Sequence, residues 1–147
     1  MRIDEKDRKI LEVLYKNGRE TYNRIAKKVG ISDVAVMKRI KRLMAMGVIK
    51  GFTVKVDPRK LGFNEVSITG IDIRPEKIFE VLEALKSMDQ VVFLAHTSGD
   101  HSAIAEIWAR DQEELYAVLR EISSMDGVMS VRPAIIVDIL KENPKLR

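Results

Sequence analysis

The hydrophobic positions of this chain change period once, near residue 50. Before that point apolar residues recur every three or four positions. After it, short alternating runs take turns with helical stripes. Asp4 can cap a first helix carrying Ile10, Leu11 and Leu14, and Asp7 favours the positive helix end. Asn17 and Gly18 end that helix. Thr21 can cap a short second helix, with Ile25 and Ala26 inward and Arg24, Lys27 and Lys28 outward. Val29-Gly30-Ile31 makes a tight turn. Ser32 then caps a third helix that runs to about residue 46, with Gly47 as its stop.

From Phe52 to Val56 the pattern alternates at period two, which predicts a strand, and Asp57-Pro58 breaks it. The domain boundary is placed here. Residues 1–50 form one domain, 51–63 a strand linker and 64–147 a second domain. In the second domain Val66, Ile68, Ile71 and Ile73 mark a strand. Pro75 opens a helix to about residue 88, with Ile78, Phe79, Leu82 and Leu85 as its stripe. Strands follow at 91–97 and 103–109, joined by Ser98-Gly99-Asp100-His101-Ser102. Asp111 caps a helix to about residue 125, with Leu115, Val118, Leu119 and Ile122 inward. A last strand spans 128–140. The fold class is therefore α+β: a helical head and a βαββαβ, ferredoxin-like body whose antiparallel sheet carries both helices on one face. The last strand lies at a sheet edge, where Pro133 is tolerated. Val66, Ile68, Phe93 and Ile107 give the other face enough apolar area to call for a second subunit as its cover.

Charge divides the chain at the same place. Residues 1–50 hold 14 Lys+Arg against 6 Asp+Glu, a net +8. Residues 51–147 hold 12 against 16, a net −4. A basic head on an acidic body points to a polyanion partner for the head and another task for the body. The chain has no cysteine and only two histidines, His96 and His101, so thiolate chemistry and cysteine or histidine metal sites are not expected. No apolar run approaches membrane-helix length, and the charged first residues do not form a signal peptide, so a soluble cytoplasmic protein is expected. One third of the residues are charged and only six are Asn or Gln, a weak sign of a thermophile. No catalytic set, phosphate loop or cofactor motif emerges. Glu106 and Asp138 are isolated acids, so neither an enzyme nor a cofactor is expected.

Two short helices around a tight turn are the frame of a helix-turn-helix that binds double-stranded DNA. Val36, Ile40 and Leu43, at i, i+4 and i+7, are the packing residues of its recognition helix, with Ile25, Ala26 and Ile31 beneath. The first residues of such a helix reach base edges and later basic residues reach phosphates. Asp33, Val34, Met37 and Lys38 are accordingly the candidate base readers. Lys41, Arg39, Arg42, Lys27 and Lys28 are the candidate phosphate contacts. Val34 and Met37 suit thymine methyl groups and Lys38 suits guanine. The plainer alternative is a solvated basic face on a three-helix bundle. Lys38, Arg39, Lys41, Arg42 and Lys50 within 13 positions favour DNA.

An extended pattern resembles one family. Ile3-Asp4, Asp7, Ile10-Leu11, Gly18-Arg19, Ile25-Ala26, Val29-Gly30-Ile31-Ser32, Val36, Arg39-Ile40, Arg42-Leu43, Gly47-Val48-Ile49, Gly51-Phe52 and Leu61-Gly62 resemble the N-terminal pattern of the Lrp/AsnC, or feast/famine, regulators. The second half resembles their RAM domain. Thr69-Gly70-Ile71-Asp72, Ser98-Gly99-Asp100-His101 and Arg132-Pro133-Ala134-Ile135-Ile136 are most similar to the archaeal LrpA-like branch. The resemblance implies a transcriptional regulator, a repressor of its own or of amino-acid metabolism genes. It implies dimerisation through the RAM sheet, octamers, and pseudo-palindromic operators. It also implies an amino-acid effector near the loop Gly99, Asp100, His101 and Ser102. Asp100 could meet an ammonium group. Where many ligand-binding members carry a second acid this chain has Ser102, and where they carry threonines it has Val131 and Pro133. Gly99-Asp100 also reads as a plain hairpin turn. His96 and Trp108 are assigned no ligand chemistry. An architectural DNA-packaging protein and a metabolite sensor with a merely soluble head are the rival readings.

Overall fold

The computed structural model describes residues 2–147. It divides into two compact units, one reaching Lys55 and including Leu140–Arg147, the other Val56–Ile139.

The first unit holds α1 (Glu5–Lys16), α2 (Tyr22–Val29) and α3 (Asp33–Ala45). Each starts where its sequence supplies a cap. The Asp4 carboxylate accepts from the Asp7 amide and the Asp7 carboxylate from that of Asp4, a reciprocal capping box. Thr21 accepts from Arg24 N and Ser32 from Ala35 N. Ile10, Ile25, Ala26, Val36 and Ile40 form the core, and Leu43 is also fully buried. The final residues fold back on this unit. The Leu146 amide donates to Glu12 Oε1 at 2.8 Å, and Lys55 Nζ donates to Asn143 Oδ1. Residues 52–56 form no strand. Alternation alone does not make a ladder, which needs a partner's backbone groups, and here Phe52, Val54 and Val56 are exposed.

The second unit opens with a 3-10 turn (Pro58–Leu61) capped by Asp57. There follow β1 (Glu65–Ile73), α4 (Ile78–Lys86), β2 (Val91–His96), β3 (Ala103–Ala109), α5 (Gln112–Ser123) and β4 (Val128–Ile135). The sheet order is β2-β3-β1-β4, all antiparallel. The edge position of β4 accommodates Pro133. β4 stops at Ile135, short of residue 140, although the Ile136 amide still donates to the Val66 carbonyl at 2.8 Å.

Ile71, Ile73, Ala103, Ala105, Ile107 and Ala109 from the sheet pack against Val81, Leu85, Leu115, Val118 and Ile122 from the helices. Small alanines on β3 let the helices approach the sheet closely. Three expectations fail here. Phe79 is 80% exposed, because α4 begins at Ile78 and its i, i+3, i+4, i+7 stripe selects Val81, Leu82 and Leu85. Pro75–Lys77 is a 3-10 turn and not the first turn of α4. Ile107 belongs to the helix-covered face and is fully buried. It pairs with buried Ser67, so strand alternation puts Ile104, Glu106 and Trp108 on the open face. That face carries Val66 and Ile68 from β1 and Phe93 from β2. Among the described residues no helix is long and apolar enough to cross a membrane.

Candidate nucleic-acid interface

The turn between α2 and α3 is set by Gly30. Its φ of 81° is left-handed backbone that a residue with a Cβ adopts only under strain. The Gly30 and Ile31 amides both donate to the Ala26 carbonyl, at 2.8 and 3.2 Å. Val36, Ile40 and Leu43 then anchor α3 from below. At 3.6 residues per turn the face opposite those three carries Val34, Lys38 and Lys41.

The predicted base readers lie at the outer start of α3. Asp33 and Lys38 are exposed, Val34 is 52% exposed and Met37 is half-buried. Asp33 Oδ1 accepts from the Val34 amide at 2.9 Å, which closes the Asp33 carboxylate toward its own helix end. Lys41, Lys27 and Lys28 are exposed, and Lys28 Nζ also bonds Glu20 Oε2 at 3.3 Å. The Lys28 side chain is 57% exposed and that of Glu20 only 8%, so the acid end of the pair is buried while the ammonium reaches solvent.

Arg39 and Arg42 are placed differently from the other predicted phosphate contacts. Arg39 Nη1 lies 2.8 Å from both Asp4 oxygens and 2.9 Å from Asp7 Oδ1. Arg42 Nη2 lies 2.5 Å from Asp7 Oδ2. Asp7 is fully buried. Both guanidiniums are thus engaged inside the head, because their positions on α3 lie beside the inward stripe. The Arg39 bonds hold the Asp4 carboxyl down to about 2, and in return hold the Arg39 guanidinium above its ordinary value. Sequence patterning finds Asp4 as a cap and Asp7 as a charge at the positive helix end but not this contact, which links residues 32 to 35 positions apart. The signal available was an acidic pair on one helix and an Arg pair at i, i+3 on another.

The loop at residues 98–102 presents a second polar cluster. Gly99 has a φ of 105°, as a turn-only reading of Gly99-Asp100 also requires. Thr97 Oγ1 donates to the His101 carbonyl at 2.7 Å. The His101 ring lies over Gly70, with Nδ1 3.1 Å from Asp72 Oδ1, and Ser130 Oγ donates to Asp72 Oδ2. The Ser130 and His101 bonds hold the Asp72 carboxyl below the usual carboxylate range. A depression of about 420 Å³ is lined by Asp72, Thr97, Asp100, His101 and Met129 among others, and Asp100 is exposed. Ser102 also lines this depression. Its hydroxyl accepts from the Ile73 amide at 3.0 Å and donates to the Ile73 carbonyl at 3.3 Å, so it ties the loop to β1.

Residues 3–50 match the model of winged helix-turn-helix DNA-binding domains, and residues 66–146 that of the Lrp/AsnC ligand binding domain. LrpA of Pyrococcus horikoshii, an HTH-type transcriptional regulator, is 51% identical over 140 residues, 95% of this chain and 99% of the relative. Ptr1 of Methanocaldococcus jannaschii, also an HTH-type transcriptional regulator, is 34% identical over 145 residues, 98% of each chain. Among solved structures, Escherichia coli AsnC matches with a TM-score of 0.84 at 28% identity, covering 98% of this chain and 100% of that one. A Neisseria meningitidis transcriptional regulator solved with L-Met shares the fold, with a TM-score of 0.87 at 21% identity, over 99% and 97% of the two chains.

Proposed function

The chain belongs to the Lrp/AsnC family of DNA-binding transcriptional regulators, and on that premise we propose that the outer start of α3 reads operator DNA in the major groove. The observation that carries this reading is the Ser32-capped end of α3, where Asp33, Val34 and Lys38 are exposed while Val36, Ile40 and Leu43 hold the helix from beneath. In this assignment Asp33, Val34, Met37 and Lys38 meet base edges, and Lys41, Lys27 and Lys28 meet phosphates. The outcome is repression of its own gene or of genes of amino-acid metabolism, in the cytoplasm.

One such helix reads only a few base pairs, so a second copy has to supply the other half-site. The open face of the sheet supports that arrangement. Ile68, Phe93 and Trp108 stand there, with Phe93 56% exposed. We assign residues 1–50 to DNA binding, 51–63 to the linker and 64–147 to self-association and effector response, with octamers built from dimers. An amino-acid effector would sit at the loop of Gly99, Asp100, His101 and Ser102, its ammonium on Asp100. A thermal-shift screen of the twenty amino acids tests that assignment: a rise in Tm that Asp100→Ala removes supports it, and no rise with any of them contradicts it.

The test of DNA reading is a titration of a fragment from the gene's own upstream region in excess non-specific competitor, repeated at rising salt. Binding that survives the competitor supports operator choice. Equal affinity for random DNA favours a packaging role, and no binding at moderate salt overturns the reading.

A further inference from the structure

The two arginines of α3 that do not face outward have a role of their own. Asp4 and Asp7 cap the start of α1, and each capping carboxylate also accepts from α3. Three Arg39 contacts and one Arg42 contact converge on four carboxylate oxygens. Asp7 is fully buried, and the Arg39 and Arg42 side chains are only 26% and 29% exposed. The buried Arg42 Nε has no hydrogen-bond partner among the described residues. A guanidinium seated there at the expense of one unpaired N–H is held by its bond to Asp7. Drawing either arginine onto a phosphate would leave a buried carboxylate short of counter-charge, which costs more than an exposed ion pair returns.

We propose that Asp4 and Asp7 are positioning residues for DNA recognition: with Arg39 and Arg42 they clamp α3 to the capped end of α1, and the two arginines act on DNA through this clamp and not as phosphate contacts. The packing residues Val36, Ile40 and Leu43 hold α3 down, but apolar contacts are not directional. The Arg39 guanidinium, astride both oxygens of Asp4, adds the direction and so sets which way Val34 and Lys38 face. The inference rests on α3 being the DNA-reading helix.

Two variants keep the test independent of folding. Asp4 is half exposed, so Asp4→Asn leaves the core intact, and Arg39→Lys keeps the charge while losing the two-oxygen geometry. The probes are a duplex enriched from a random-sequence library by the wild-type protein and a scrambled duplex of equal length, titrated over a range of salt. The clamp predicts that each variant loses about tenfold or more of its preference for the selected duplex. It also predicts unchanged affinity for the scrambled duplex and an unchanged salt slope. A phosphate-contact role predicts the reverse. Asp4→Asn, which removes a negative charge and frees Arg39, would bind both duplexes more tightly with a steeper salt slope, and Arg39→Lys would match wild type. That result overturns the clamp. A wild-type protein that enriches no sequence would instead overturn the DNA-reading assignment beneath it, while unaltered preference in both variants overturns the clamp alone.

Discussion

The His101 imidazole lies so close over Gly70 that a Cβ at that position would meet ring atoms at 2.6 to 2.7 Å. Gly70 sits on the open sheet face between Ile68 and Asp72, and His101 bonds Asp72 just beyond it. The missing side chain is what lets the loop fold onto the sheet. Gly70→Ala is expected to push the ring off Asp72 and to lower stability by about 1–3 kcal/mol. In urea unfolding, the double variant Gly70→Ala/His101→Ala should be no less stable than His101→Ala alone. If the alanine costs the same in both backgrounds, the ring is not what it meets.

Acid should loosen the head through Asp4. Arg39 holds its carboxyl at about 2, below the 3.8 of an unperturbed aspartate. A depressed folded-state value contributes stability that is present above the unfolded value and is lost as pH falls toward the folded one. Asp72 and Asp126 of the body, and Glu20 of the head, are shifted in the same direction. The urea midpoint of the head should therefore drop between pH 4 and pH 2, and in Asp4→Asn it should drop less. An equal drop in the variant would show that Asp4 carries none of the effect.

Lys38 and Lys41 are neighbours on the outer face of α3 with different expected duties. Lys38→Ala should change which sequence is preferred, at a cost of about 1–3 kcal/mol on the preferred site. Lys41→Ala should weaken all DNA alike and reduce the salt slope by about one. Site-selection profiles and salt titrations of the two variants separate these outcomes. A uniform loss from Lys38→Ala would remove it from the base readers.

The open sheet face should fail as an interface when it is charged. Phe93→Asp places a second carboxylate opposite Glu106 on the open face, and sedimentation should show the variant as a smaller species than wild type. Wild-type assembly in the variant would place self-association elsewhere. Because Phe93 is more than half exposed in the single chain, its substitution should leave the core of the second unit intact.

Local signals in the sequence were enough to place most of the elements. Asp4, Thr21, Ser32 and Asp111 each cap a helix in the structure, since capping depends on residues three positions apart. The strand order follows from the βαββαβ succession because few topologies satisfy it. What sequence did not reveal depends on partners far along the chain. Residues 52–56 alternate as a strand does, yet with no neighbour they make no ladder. The charge of Arg39 and Arg42 is visible in the sequence, but their bonds to buried Asp7 are not. Ser102 reads as a loop hydroxyl until the fold brings Ile73 within 3.0 Å of it. Phe79 falls on the inward stripe only for a helix that starts at Pro75; α4 starts at Ile78, and Val81 takes the inward position.

Sequence choice by α3 is the centre of the account, and binding-site selection from a random duplex library with the purified full-length protein tests it most directly. Enrichment of one pseudo-palindromic site is expected, its half-sites about one or more helical turns apart. Val34→Ala and Lys38→Ala are each expected to alter the bases enriched within a half-site. Retention of DNA without enrichment of any sequence, or an enriched site unchanged in both variants, would contradict sequence choice by α3.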